Sequence, residues 1–137
     1  KKIVIIGTSC SGKTTLSKQI AVKLKIQHHE LDNYFWSNNW IAIPEKEFIA
    51  LVQEILNNNS NWVICGNYSN VRKALWDKST DIIWLDYPFY LVFFRAIKRS
   101  IIRIYKKEKV CNNNMPWENF PVFHNSHRHR ALPAIFP

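Results

Sequence analysis

The stretch Gly7-Thr8-Ser9-Cys10-Ser11-Gly12-Lys13-Thr14 constrains this chain more than any other: two glycines five positions apart, then Lys and Thr. Ile3, Val4, Ile5 and Ile6 precede it, and Leu16, Ile20 and Leu24 follow at helical spacing across residues 13–25. A short β-branched run is the mark of a parallel strand buried on both faces. Strand, glycine-bearing loop and helix in that order let the backbone curl until successive N–H groups converge on an anion. The helix start adds its partial positive charge. In a loop of this Walker A pattern, Lys13 reaches the β- and γ-phosphates and the Thr14 hydroxyl ligates Mg²⁺. ATP phosphates are therefore the expected ligand, and Gly7, Ser9, Cys10, Ser11, Gly12, Lys13, Thr14 and Thr15 the expected nucleotide-binding residues.

With 137 residues, 47% of them hydrophobic and 14% aromatic, the chain has the make-up of one globular domain with a real core. Its longest apolar run, residues 89–94, is far too short to span a bilayer, and the start of the chain has no signal-peptide pattern, so no membrane partner is expected. Cys10, Cys65 and Cys111 are odd in number and far apart, which fits a reducing, cytoplasmic setting rather than a disulfide framework. The charge of +9 is uneven: residues 1–94 carry +2 and residues 95–137 carry +7. A basic stretch of that kind suits nucleic acid, nucleotide phosphates or an acidic membrane surface, and charge alone does not choose among them.

Carboxylates and one glycine end the later strands. Residues 26–31 form a second short strand leading to Asp32, at the crevice where α/β sheets bind ligands. Asp32 is placed to orient Mg²⁺ through water or to hold a substrate hydroxyl, against the simpler role of a helix cap. Tyr34, Phe35, Trp36 and Trp40 crowd behind it, either to stack a ring or to plug the core. Pro44, Glu45 and Glu47 open a helix with a stripe of Phe48, Leu51, Val52, Ile55 and Leu56, which the Asn run at 57–59 ends. A third strand, residues 62–65, runs into Gly66-Asn67-Tyr68, where a glycine permits close approach and Arg72 stands ready to clamp an anion. Asp86 closes a fourth strand, residues 82–85, either as the acid that steadies Mg²⁺ through water or as a helix-entry acid before Pro88.

The last helix, from 88 to about 107, sets Arg95, Arg99 and Arg103 on one face, with Phe93, Phe94, Ile97, Ile101 and Ile104 available for apolar contact. Like charges at that spacing repel, so the face costs stability unless anions visit it or water solvates it. His124, His127 and His129 have loosely metal-like spacing but no Cys or carboxylate to complete a site, and residues 111–137 read as an irregular basic tail.

Taken together, the loop, Leu31-Asp32 with Trp36 after it, Gly66-Asn67-Tyr68 and Asp86-Tyr87-Pro88 resemble adenylate-kinase-like P-loop proteins, and among them the bacterial topology modulation (FlaR-type) group. The resemblance covers residues 1–110. It implies an α/β P-loop NTPase three-layer fold with a parallel sheet, of the adenylate/shikimate-kinase kind, and an arginine-bearing lid. It also implies Mg²⁺-dependent phosphotransfer from ATP to a nucleotide or other small acceptor. Lys13 and Thr14 would take the phosphates and Mg²⁺, aided by Asp86. Asp32, Trp36, Gly66, Asn67, Tyr68 and Arg72 would face the acceptor, and Arg95, Arg99 and Arg103 would serve the lid. Two departures stand out. Cys65 occupies a place where the group carries an acid, and residues 120–137 match nothing in the group, so the last strand and helix are expected to be missing. A nucleotide-binding protein acting on DNA through its basic third, or a catalytically silent relative, are the alternatives.

Overall fold

The structure, a computed structural model, describes residues 1–106 and Asn114. Its elements in chain order are β1 (Lys2–Gly7), α1 (Lys13–Leu24), β2 (Gln27–Glu30), α2 (Leu31–Phe35), α3 (Glu45–Asn58), β3 (Trp62–Cys65), α4 (Ser69–Lys78), β4 (Asp81–Leu85) and α5 (Phe89–Lys106), with a 3-10 turn at Asn38–Trp40. The four strands form a parallel sheet in the order β2-β3-β1-β4. In register, Ile5 lies opposite Cys65, Cys65 opposite Glu30, and Gly7 opposite Leu85. The loop that leaves β1 therefore starts from an interior strand, flanked by β3 and β4.

Alternation along the strands builds two cores. Val4, Trp62 and Ile64 pack with Leu31, Phe48, Val52, Leu56, Val71 and Leu75 beneath α3 and α4. Ile3, Ile5, Val63 and Cys65 point the other way, onto Ala21 of α1. This is a helix–sheet–helix sandwich, and it explains why β1 and β3 read as unbroken apolar runs. Phe48 and Trp62 are fully buried, each worth on the order of 2–3 kcal/mol of burial. β2 has the polar sequence Gln27-His28-His29-Glu30 because it lies at an edge and is only half-buried.

Two expectations change. The second strand stops at Glu30, and Leu31 starts a helix instead, so Asp32 sits in the first turn of α2 rather than at a strand end. Leu31 is fully buried there, in the core cluster with Phe48 and Val52. The apolar residues of α5 also do not pack as expected: Phe89 is 82% exposed and Phe94 67%, and no residue of α5 is buried. The basic tail expected at 111–137 lies, apart from Asn114, outside the described residues. No described helix is long and apolar enough to cross a membrane.

Beyond α2 the chain makes a tight excursion. Trp36 bridges Ala42, the Ser37 N–H donates to Ile41 O at 2.8 Å, and the Ile43 N–H donates to Phe35 O at 3.0 Å. At its tip Asn39 and Trp40 both take left-handed backbone, with φ of 60° and 55°. That conformation costs roughly 1–2 kcal/mol for each residue bearing a side chain, and less for Asn than for Trp.

Candidate functional site

Space and backbone conformation both fix the loop between β1 and α1. At Gly7, φ is 151° and a Cβ would lie 2.7 Å from Leu85 O and 2.9 Å from Ser11 Oγ. Gly12, with φ of 94°, needs glycine for its conformation alone, since nothing lies within 4 Å of an added Cβ. Gly12 precedes α1 without a side-chain cap hydrogen bond, and the helix carries no acid of its own in its first turn. Ser11 is buried, and its Oγ has no hydrogen-bond partner among the described residues. Ser9 and Thr15 are exposed and Cys10, at φ 63°, is half-buried. A buried orphan hydroxyl, two left-handed glycines and an uncapped helix start are what a phosphate-bearing ligand would complete.

Lys13 folds back over this loop, donating from Nζ to Gly7 O at 2.9 Å and Thr8 O at 2.6 Å. Burial lowers its pKa, Asp32 and the two nearby cysteines oppose that, and the Arg99 charge adds to the lowering. Lys13 thus lies within electrostatic reach of both Asp32 and Arg99.

Below the loop runs a chain of polar contacts. The Thr14 hydroxyl donates to Glu30 Oε1 at 2.6 Å. Ser17 Oγ donates to Thr14 O at 2.9 Å and lies 2.8 Å from His28 Nε2. Since the single Ser17 hydrogen goes to the Thr14 carbonyl, His28 carries its proton on Nε2 and donates to Ser17. Cys65 Sγ approaches the same nitrogen at 3.7 Å. Burial pushes the Cys65 thiol up, so it stays protonated. The negative charge beside Thr14 comes instead from Glu30, paired in register with Cys65. Glu30 was missed in the sequence; its signal was an acid two positions before Asp32 at the end of a short strand. Among the described residues no group of three or more His, Cys, Asp and Glu side chains is arranged to hold a metal by itself.

Burial also holds His28 and His29 below the usual histidine value of 6.5. His29 shares its Nδ1 with the Tyr34 hydroxyl at 2.8 Å, and its Nε2 is buried with no partner among the described residues. With folded values below the unfolded one, the unfolded chain binds more protons as pH falls through this range. The stability is fully present above pH 6.5 and is lost as pH drops through the folded values. The melting temperature should fall between about pH 7.5 and about pH 5.5, and His29→Phe should flatten that fall. An unchanged pH slope in the variant would count against a buried neutral His29.

Past the end of β3, the Tyr68 hydroxyl donates to Asp32 Oδ1 at 2.6 Å, while its ring packs on Phe35 and Phe48. Gly66, with φ of 139°, lets β3 pass Leu31 so closely that a Cβ would meet Leu31 Cβ at 2.8 Å. Arg72 donates to Asn67 Oδ1 at 3.0 Å and lies over the Trp76 ring, and Gly66, Asn67, Tyr68, Arg72 and Trp76 line one shallow hollow. The aromatic cluster divides: Phe35 belongs to the core, whereas half-buried Trp36 and Trp40 meet edge to face at 5.7 Å. Asp86 is exposed just past Leu85, the partner of Gly7. Arg95 stacks over the Tyr87 ring at 4.9 Å, Arg99 reaches Lys13 electrostatically, and Arg103 is half-buried one turn further on. Loop, Glu30, Asp32 and Tyr68 thus come together, while Arg95 is held to one side.

No family model matches the chain. Over 69 residues it is 32% identical to the uncharacterized protein YqaC of Bacillus subtilis, a match covering 48% of this chain and 38% of that protein. Shikimate kinase from Aquifex aeolicus superposes with a TM-score of 0.52 at 20% identity, over 66% of this chain and 62% of that one. A sugar kinase from Janibacter gives 0.51 at 17% identity, over 82% and 80%. The chain therefore has an α/β three-layer, kinase-like P-loop fold, and it spans well under half of the curated relative it matches.

Proposed function

We propose that the chain is a P-loop phosphotransferase that uses ATP and Mg²⁺ to phosphorylate a small acceptor, a nucleotide or a hydroxyl compound. The observation that carries this reading is Lys13 folded across a glycine-shaped loop, with Thr14–Glu30 beneath it and Asp32–Tyr68 alongside. ATP, when bound, supplies the phosphoryl group. The N–H groups of residues 7–15 hold its phosphates, Lys13 neutralises charge, and Thr14 holds Mg²⁺ with help from Glu30 and Asp86. Asp32 receives an acceptor hydroxyl, Arg72 and Asn67 hold its polar end, and Gly66, Tyr68 and Trp36 shape the remainder. Arg95, Arg99 and Arg103 bring positive charge to the migrating group. We assign residues 1–110 to this kinase-like unit and residues 111–137 to a basic tail. Within P-loop kinases the motifs at Leu31-Asp32, Gly66-Asn67-Tyr68 and Asp86-Tyr87-Pro88 favour the topology modulation group.

Mg-ATP should yield ADP in proportion to an added acceptor from a panel of nucleoside monophosphates, nucleosides, hydroxy acids and sugars. ADP formation that never depends on an acceptor would rule out phosphotransfer.

A further inference from the structure

Among the described residues, Asn114 lies beyond α5 and meets the turn that follows α2. Asn114 is only 3% exposed, although it lies eight residues past the end of α5. Its Nδ2 donates to Ser37 O at 2.8 Å, and its Oδ1 accepts the Trp40 N–H at 3.2 Å. Both amide atoms meet complementary groups, and a flipped amide would set oxygen against carbonyl and nitrogen against N–H, so the orientation is settled by its partners. The turn it grips is the one whose Asn39 and Trp40 backbones are strained.

Topology gives this contact its meaning. α5 starts from β4 at one edge of the sheet, whereas Ser37 and Trp40 follow β2 at the other. The edges are about 14 Å apart in strand spacings. α5 contributes about 27 Å of length, and eight residues add a reach of at most about 28 Å. α5 thus begins beside the β4 edge while Asn114 sits at the turn that follows β2, and Arg99, midway along α5, acts electrostatically on Lys13. Little else fixes α5, since none of its residues is buried.

We propose that Asn114 is a positioning residue: a clasp that ties the chain beyond the arginine helix to the strained Ser37–Trp40 turn and so restrains the helix that carries Arg99. The clasp stands on the two hydrogen bonds, and only its effect on turnover rests on the phosphotransfer reading.

The full chain carrying Asn114→Ala is compared with wild type by hydrogen exchange, limited trypsin digestion and kinetics. Exchange in the peptide covering residues 37–41 should accelerate about tenfold, and cleavage after Arg95, Arg99 and Arg103 should quicken by a similar factor. Exchange in the loop peptide should stay unchanged. Phosphotransfer kcat should fall about tenfold while the KM for ATP stays within about twofold. Asn114→Asp, nearly the same size but lacking the donor to Ser37 O, should reproduce these changes, and it decides the matter if the alanine variant does not fold. Unchanged exchange at residues 37–41 overturns the clasp. Faster exchange there with unchanged cleavage along α5 overturns its hold on the helix. If wild type shows no acceptor-dependent turnover, the phosphotransfer reading fails, and exchange and cleavage still decide the clasp.

Discussion

Lys13→Ala is expected to lower acceptor-dependent ADP formation by about a thousandfold, the ~4 kcal/mol that one charged donor is worth in a site shielded from water. Lys13 is the cation placed at the mouth of the loop, already bonded to two loop carbonyls at 2.9 and 2.6 Å. Alanine removes both the charge and those bonds. Lys13→Met, which keeps most of the stem, separates the effects: it should be as inactive as alanine while preserving more of the stability. A variant retaining more than about a tenth of wild-type activity would take Lys13 out of the reaction. The pH dependence carries opposite signs for activity and stability. Burial lowers the Lys13 pKa from 10.5, so the active cation is lost at lower pH than an ordinary lysine would lose it. The folded value lies below the unfolded one, so the stability linked to Lys13 is present above 10.5 and is lost as pH falls through the folded value.

Gly66→Ala should cost about 3 kcal/mol of stability, since strain and overpacking act together. Its added Cβ would lie 2.8 Å from Leu31 Cβ, 3.0 Å from Cδ1 and 3.1 Å from Cγ, at a φ of 139°. Leu31 is fully buried in the core under α3 and α4 and cannot swing aside. Gly12→Ala is the matched control, with the same kind of backbone demand and no atom within 4 Å. It should cost only about 1 kcal/mol. In thermal melts the Gly66 variant should fall by more than about 12 °C and the Gly12 variant by roughly 4–8 °C. Equal losses at the two positions would mean that contact with Leu31 plays no part.

The central strands were legible because β1 and β3 are buried on both faces, and a run such as Ile3 to Ile6 or Trp62 to Cys65 has few other uses. The loop was legible because its glycines and Lys13 are adjacent in sequence as well as in space. β2 was harder: its half-buried edge tolerates Gln27 and His28, so no apolar run marks where it stops. Contacts across long sequence separations left no local trace. Thr14 meets Glu30, Tyr68 meets Asp32, and Asn114 meets Ser37 over intervals that no hydrophobic period spans. The apolar positions of α5 showed the opposite failure, since amphipathic spacing records that a face is apolar but not what covers it.

The sheet order has a consequence for how such a site can change. The glycine loop and Gly66 hang from β1 and β3, which are laddered on both sides, whereas Glu30, Asp32 and Asp86 follow β2 and β4, each paired on one side among the described residues. Interior strands open last and edge strands first. The loop and Gly66 therefore belong to the stiffest part of the sheet, and Glu30, Asp32 and Asp86 to its most yielding part. Substitutions at β2 and α2 can therefore accumulate without loosening the loop, which lets the two sides of the sheet evolve at different rates.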